Sequence, residues 1–315
     1  MNRIVVLKGG DSPEREVSLI SGAEIASELR KSGYLVAELD PKDFSSFTLF
    51  LDELSNVAPK IVFNGLHGGS GENGEIQATL KMAGYACTGS GSKASSLCMD
   101  KFVTKLVVQA EGIPVARHIL LRGDLLEDYQ APIDYAPFGE ELGLPIIVKP
   151  NDSGSSVGIS RVQEIDKLKP AVKEALKYSS SALLEEYIPG RELTVTVLDG
   201  EALPVVEIKP LEGWYDYTNK YTKGKTEYIA PAELDEPVSR LVQIYAMRAW
   251  KAVGLSGYAR IDFRYDGIKP YFLEVNTLPG MTPLSLTPMA AKAAGMPFGK
   301  LLETIIDISL RDAGR

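Results

Sequence analysis

Two arms of alternating apolar and polar residues meet at an Asp-Gly dipeptide in YARIDFRYDGIKPYFLEVNTLPGMTPLS, residues 258–285. A period of two broken by a turn signal predicts a β-hairpin, and the glycine-proline run after it predicts a loop. Arg260, Asp262 and Arg264 share one face of the first arm, and Phe272, Glu274 and Asn276 share one face of the second. Asp262, Glu274 and Asn276 carry the oxygen donors that a hard cation such as Mg²⁺ prefers. Gathering all three on one side constrains the strand pairing. A two-residue Asp266-Gly267 turn would set Asp262 opposite Tyr271 and leave Glu274 on the reverse face. A longer turn of odd count, or a β-bulge, is therefore predicted, helped by Pro270, which has no N–H for a ladder. An ordinary amphipathic hairpin with a solvated charged face fits the same residues, so the rest of the chain has to decide.

At 315 residues the chain exceeds one small core and points to two or three domains. Its formal charge of −8, with scattered lysines and no basic block, argues against general nucleic-acid binding. No apolar run approaches a membrane span, and the short run in MNRIVVLKGG falls below a signal-peptide core. Cys87 and Cys98 are the only cysteines, and neither stands in a metal or redox spacing. Two structural thiols in a reducing, cytoplasmic setting are expected.

Along the chain, residues 3–7 form a buried-strand run, Gly9-Gly10 a turn, and 14–31 a helix, which together predict a βα unit of a parallel sheet. Strands follow at Tyr34–Leu39 and Ile61–Phe63, then HGGSGENG at 67–74 and a helix over 75–83. The first domain is thus an open α/β sheet, and both glycine-bearing loops lie at strand ends, where such sheets bind ligands. Glu14 and Glu75 each open a helix, where an acid is also simply favoured by the dipole. His67 opens a glycine-rich turn at a strand end, a position that favours a site role, whereas His118 sits in an apolar strand and reads as structural. One short helix is predicted over 99–112. In LPIIVKPNDSGSSVGISRV a buried strand ends at Lys149-Pro150, a loop of small residues follows, and a second strand starts near Val157. This lacks the Gly-Lys-Ser/Thr of a Walker loop and instead suggests a flap whose N–H groups can approach phosphates. A charged helix at 163–178, strands at 183–187 and 192–198 around an Ile188-Pro189-Gly190 hinge, a polar aromatic loop at 211–228, and helices at 234–253 and 297–311 complete the reading.

In this order EREVSLISG, HGGSGENG, MDK, VKP with GSSVG, LEEYIPGRE, YDYTNKY, ARIDF and FLEVNTLPGMTPLS closely resemble the D-alanine–D-alanine ligase family of the ATP-grasp superfamily. The match runs nearly end to end with its blocks in register. It implies an α/β chain of three domains in the ATP-grasp architecture, an N-terminal open α/β domain at 1–97 and two α+β domains, 98–184 and 185–315, sandwiching ATP. It implies that ATP is spent, through an acyl phosphate, to join two D-alanines for peptidoglycan, with Mg²⁺ as cofactor (two ions, Mn²⁺ an alternative). A cytoplasmic homodimer with no nucleic-acid or membrane partner is implied as well.

The resemblance also assigns roles. Asp262, Glu274 and Asn276 match the metal ligands, with Glu274 bridging. Lys101 and Lys149 match phosphate-binding lysines, and Lys220 a lysine reaching the γ-phosphate, under a flap that contains Ser155 and Ser156. Glu185 matches an acid contacting adenine, Tyr187 and Ile188 supply its apolar walls, and Glu192 matches the contact to the ribose hydroxyls. Glu14 matches the anchor of the first D-alanine's ammonium, and His67 a residue near its carboxylate. Arg260 and the N–H of Gly280 match an oxyanion site. Ser285 and the N–H of Leu286 would take the second carboxylate at a helix start. Tyr221 and Ser155 match a network linking lid and flap to Glu14, and the intact tyrosine favours an amine over a hydroxyl as second nucleophile. No side chain of this set is a clear base for that amine. The rivals are the same chemistry with D-lactate or D-serine as second substrate, and a catalytically silent nucleotide binder.

Overall fold

The computed structural model describes residues 3–128, 134–154, 157–211 and 225–314, the side chains of 126–128 excepted. Ser155, Ser156, Lys220, Tyr221 and most of the predicted loop at 211–228 lie outside the described residues.

Three parallel strands, β1 (Arg3–Leu7), β2 (Leu35–Leu39) and β3 (Ile61–Asn64), form a sheet in the order β2-β1-β3. Successive strand residues face opposite layers. Ile4 and Val6 pack with α1 (Arg15–Lys31), while Val5 and Leu7 pack with α2 (Phe47–Val57) and, further on, α4 (Glu75–Met82). One turn of helix, α3 (Gly69–Glu72), interrupts the glycine-rich loop. Ser18 on α1 shows why the EREVS segment suits its place. Its hydroxyl accepts from Gly9 N–H at 2.9 Å and donates to Gly65 C=O at 2.8 Å, tying both loops at the strand ends to one helix.

The helix predicted over 99–112 is instead two, α5 (Ser92–Met99) and α6 (Lys101–Ala110). Asp100 between them is extended, and its carboxylate accepts from Val103 N–H, an N-cap that starts a new helix. Both helices join the core of the large sheet described below, through Ala94, Cys98 and Val108.

Next, β4 (His118–Arg122), α7 (Gly123–Asp128), α8 (Ala136–Leu142), β5 (Ile146–Pro150), β6 (Ser160–Val162), α9 (Leu168–Ala175) and β7 (Ser181–Glu186) make an antiparallel sheet in the order β4-β7-β5-β6. The flap is the β5–β6 connection, as predicted, although β6 begins at Ser160 rather than near Val157. The predicted helix at 163–178 is shorter and is preceded by a 3₁₀ turn at Ile165–Lys167.

The large sheet runs β11-β10-β8-β12-β13, with β9 on the side of β8. Its strands are β8 (Arg191–Leu198), β9 (Glu201–Ala202), β10 (Val206–Pro210), β11 (Thr226–Ile229), β12 (Tyr258–Tyr265) and β13 (Pro270–Asn276). Leu193, Val195, Val197, Ala259, Ile261 and Phe263 face a core closed by α10 (Glu236–Val253). The alternate residues Glu192, Thr194, Arg260, Asp262 and Arg264 face the other way. Two helices close the chain, α11 (Leu286–Ala293) and α12 (Phe298–Ala313), and α12 returns to pack on β1, β3 and α1 through Leu301, Leu302 and Ile305.

The hairpin answers the parity question with a bulge. Arg260 pairs with Asn276, Asp262 with Glu274 and Phe263 with Phe272, so Leu273 is the extra residue. The turn itself is four residues long, because Tyr265 pairs with Pro270. The expectation that Phe272 shares a face with Glu274 is corrected: Phe272 is buried against Phe263 in the core, and the bulge turns Glu274 to the opposite side. Pro270 opens an edge strand rather than making the bulge.

Candidate active site

Facing strands of the small and large sheets enclose a cleft. Lys101, Lys149, Glu185, Tyr187, Ile188, Glu192, Arg260, Asp262 and Glu274, all singled out from the sequence, line it together with Gly154, Arg264 and Leu273.

One end is built around the bulge. Asp262 lies between Thr194 on β8 and Glu274 on β13, and Arg260 between Thr196 and Asn276. Arg260 grips Asp262 in two places, Nε to Oδ1 at 2.9 Å and Nη2 to Oδ2 at 3.0 Å. Thr194 Oγ1 donates to Asp262 Oδ1 at 2.5 Å and Asn276 Nδ2 to Oδ2 at 2.9 Å. Two carboxylates directly opposed across strands repel one another unless positive charge lies nearby. Arg260 supplies part of it, and Lys101 Nζ stands 3.4 Å from Glu274 Oε2. Three oxygen-bearing side chains on one face, two of them like-charged neighbours, are a donor set that fits a hard divalent cation.

Lys101 also fixes the flap, donating to Ser153 C=O at 2.7 Å. The MDK and VKPND segments are knitted beneath it. Asn151 donates through Nδ2 to Asp100 at 2.9 Å and accepts from Phe102 N–H at 2.9 Å. Lys149 reaches Glu185 Oε2 at 2.5 Å, and Glu185 is 3% exposed. Burial would raise the Glu185 carboxyl, but the ammonium groups of Lys105 and Lys149 outweigh it and hold it at about 2.

At the other end Arg264 holds the hinge. It donates to Ile188 C=O at 3.2 Å and Gly190 C=O at 2.9 Å, and pairs with Glu192 at 3.3 Å. Burial, with the charges of Asp262 and Glu274 adding to it, pushes Glu192 up to about 7 despite Arg264.

The N-terminal loops close the third side. The Glu14 carboxylate lies against two glycines of different segments: a Cβ on Gly68 would fall 2.7 Å from Oε2 and one on Gly154 2.9 Å from it. His67 is 7% exposed, with Nδ1 3.0 Å from Leu278 C=O and Nε2 3.1 Å from the Ser21 hydroxyl. A carbonyl can only accept, so Nδ1 carries a proton and donates to it. Glu72, not singled out from the sequence, accepts Leu278 N–H at 3.4 Å and Gly68 N–H at 3.2 Å. His67 and Glu72 thus hold both polar groups of Leu278, in the loop that follows the acid-bearing strand. Burial, then the Glu14 charge, pushes Glu72 up to about 7.

Ser285 is the residue before α11, and its hydroxyl is engaged with Thr282, accepting the N–H at 3.1 Å. Leu286 opens α11 and is buried against Val206 and Ile208. Gly280 lies beside Ser285, whose Oγ would be 3.0 Å from a Cβ built there. His118 keeps its structural role, with Nδ1 2.9 Å from Ala116 C=O and its ring edge-on to Phe102.

The family described as D-ala D-ala ligase C-terminus matches residues 107–307. The D-alanine–D-alanine ligase of Actinobacillus pleuropneumoniae serotype 5b is 42% identical over 308 residues, 98% of each chain. The crystal structure of the D-alanine–D-alanine ligase from Bacillus anthracis superposes with a TM-score of 0.87 at 33% identity, over 100% of this chain and 99% of that one. The same enzyme complexed with ATP gives a TM-score of 0.84 at 32% identity, over the same 100% and 99%. The fold and its inter-sheet cleft are those of the ATP-grasp class. Within that class, the chain belongs to the D-alanine–D-alanine ligase family.

Proposed function

We propose that this chain is an ATP-dependent ligase that joins two D-alanines into D-alanyl-D-alanine for peptidoglycan, with ADP and phosphate as co-products. The first D-alanine's carboxylate takes the γ-phosphoryl group from ATP, and ADP leaves. The second D-alanine's amine then attacks the acyl carbon, and phosphate leaves with the proton count balanced by solvent. Such transfer asks for alignment and charge neutralisation more than covalent help.

In this reading Tyr187 and Ile188 flank adenine, Glu185 accepts from its amino group, and Glu192 meets the ribose. Glu192 suits that task, because a carboxylate has two oxygens that can accept from the ribose hydroxyls. Lys101, Lys149 and the flap backbone neutralise the phosphates. Asp262, Glu274 and Asn276 are the residues that would hold Mg²⁺ (two ions), and Mn²⁺ could replace it. The ions' contribution is to offset charge on the phosphate oxygens. Glu14 anchors the first ammonium beside His67, Arg260 and Gly280 N–H face the oxyanion, and Ser285 with Leu286 N–H takes the second carboxylate. Lys220, Tyr221, Ser155 and Ser156 belong to lid and flap segments outside the described residues, and we assign them to closure over the acyl phosphate.

The observation that carries this reading is the bulge at Leu273, which sets Glu274 against Asp262 in a cleft that Lys101 also enters. Phosphate release with ATP, Mg²⁺ and D-alanine tests it, with L-alanine as control, and D-lactate and D-serine as competing second substrates across pH. Dipeptide formed only from D-alanine is expected, and release that ignores the amino acid overturns the proposal. We further infer a cytoplasmic homodimer. Among the described residues no helix is long and apolar enough to cross a membrane. The three sheets support a division into three parts near 1–97, 98–184 and 185–315, except that β7 carries the second part on to Glu186 and α5 and α6 lend side chains to the core of the third.

A further inference from the structure

Lys105 is one of the largest fully buried side chains of the protein, at 0% exposure, and no role above uses it. It sits one helical turn beyond Lys101 on α6, so both lysines point the same way. Lys101 reaches the cleft, whereas Lys105 stops behind its wall. There its ammonium is 2.7 Å from Glu185 Oε1 and donates to Phe272 C=O at 3.2 Å, with the Phe272 ring centroid 5.6 Å away. β13 is the edge of its sheet, and Phe272 sits beside the bulge. One ammonium therefore bridges the two sheets that form the cleft, touching the small sheet at Glu185 and the large one at Phe272.

Glu185 is thereby pinned from two sides, with Lys149 on Oε2 and Lys105 on Oε1. The Lys105 ammonium lies at ion-pair distance from Oε1, and that oxygen is buried with it. Burying a second ammonium is costly, and is tolerated here because the carboxylate lies against it.

We propose that Lys105 is a positioning residue that fixes Glu185 as a pure acceptor, making the cleft select a purine bearing an amino group over one bearing an oxo group. The proposal rests on the nucleotide reading given above. An amine donates to the Glu185 carboxylate, which lines the cleft, whereas an oxo group would set oxygen against a carboxylate that has no proton to offer. Without the Lys105 charge, Glu185 is free to take up a proton or turn, and either change lets it tolerate an oxo group.

The test is direct nucleotide binding, measured by calorimetry without D-alanine, so that it is independent of ligation. ATP is compared with inosine triphosphate, which carries an oxo group in place of the amine and a proton on N1, in the wild type, K105M, E185Q and K105M/E185Q, with thermal melts as the fold control. The wild type is expected to prefer ATP, and K105M to lose about tenfold or more of that preference. E185Q is expected to lose it as well, and K105M/E185Q to match E185Q, because Lys105 acts through Glu185. A folded K105M with the wild-type ratio overturns the proposal. So does a double variant that loses the sum of both single effects. Should K105M alone not fold, E185Q against the double variant decides the matter. A wild type that binds both nucleotides equally removes the selectivity, and one that binds neither removes the nucleotide reading itself.

Discussion

Glu14 is held between two glycines, and one of them permits a clean perturbation. Gly154 does not have a left-handed backbone, so G154A brings no φ strain. Among the described residues, the new methyl would meet only the Glu14 carboxylate, with Oε2 at 2.9 Å and Cδ at 3.8 Å. Relaxing that contact to ordinary van der Waals separation displaces the carboxylate by about 0.5 Å. An ammonium–carboxylate hydrogen bond is worth roughly 1.5–3 kcal/mol, and a shift of this size forfeits part of it, about 1–2 kcal/mol. That corresponds to roughly 5- to 30-fold weaker binding of the first D-alanine. Phosphate release against D-alanine concentration should therefore show KM rising by this factor at the tighter subsite, with kcat changed less. The melting temperature should stay within a few degrees, since one small side chain moves at a half-buried position. An unchanged KM in a folded G154A would refute the reasoning, because the flap could then not be touching the residue we propose as the ammonium anchor.

Glu72 makes stability depend on pH. Its carboxyl is raised from 4.5 to about 7 in the fold, so the stability it contributes is complete below 4.5 and is lost as pH rises through 7. E72Q should therefore gain on the wild type across that window by about 1–2 kcal/mol, discounted for partial exposure, and a flat difference in melting temperature between pH 4.5 and 8 would contradict it. E274Q should abolish nearly all turnover yet melt at the same temperature or higher, because it relieves the like-charge pair with Asp262. Appreciable activity in E274Q would remove the metal assignment. G190A should be among the costliest single changes at the hinge, since Gly190 has φ +107° and a Cβ there would lie 2.1 Å from Tyr265 C=O. A loss of about 2 kcal/mol or more is expected, and an unshifted thermal melt would show that the hinge relaxes freely.

The architecture was largely legible in the sequence because its strands and helices carry unambiguous periods. β1, α1, β3, β5, β8, α10 and the hairpin stand where period two or three-and-a-half residues placed them. Parity required a turn of odd count or a bulge for Asp262 and Glu274 to face one way, and the structure uses the bulge. Its location at Leu273 did not follow, because nothing local distinguishes Leu273 from Phe272 until packing sends the ring into the core. The split at Asp100 had a visible signal, an aspartate before a helix-forming run, and was overlooked because the apolar spacing continues across it. Glu72 and Lys105 were missed for a different reason. Their importance lies in partners 206 and 167 residues away, Leu278 and Phe272, and no local pattern encodes such pairs. Lys105 did leave one trace, a lysine on the buried face of an amphipathic helix, four residues from another lysine.

The return of α12 to the first sheet has a mechanical consequence. Ile4, Val6, Phe63 and α1 share one apolar mass with Leu198, Tyr258 and Met281 of the large sheet, so the N-terminal and C-terminal parts are welded and cannot swing apart without exposing it. The small sheet keeps a separate core, and the chain enters it near Ala116 and leaves at the hinge after Glu186. A rigid-body movement that widened the cleft would therefore fall to that sheet, a jaw working against a fixed anvil.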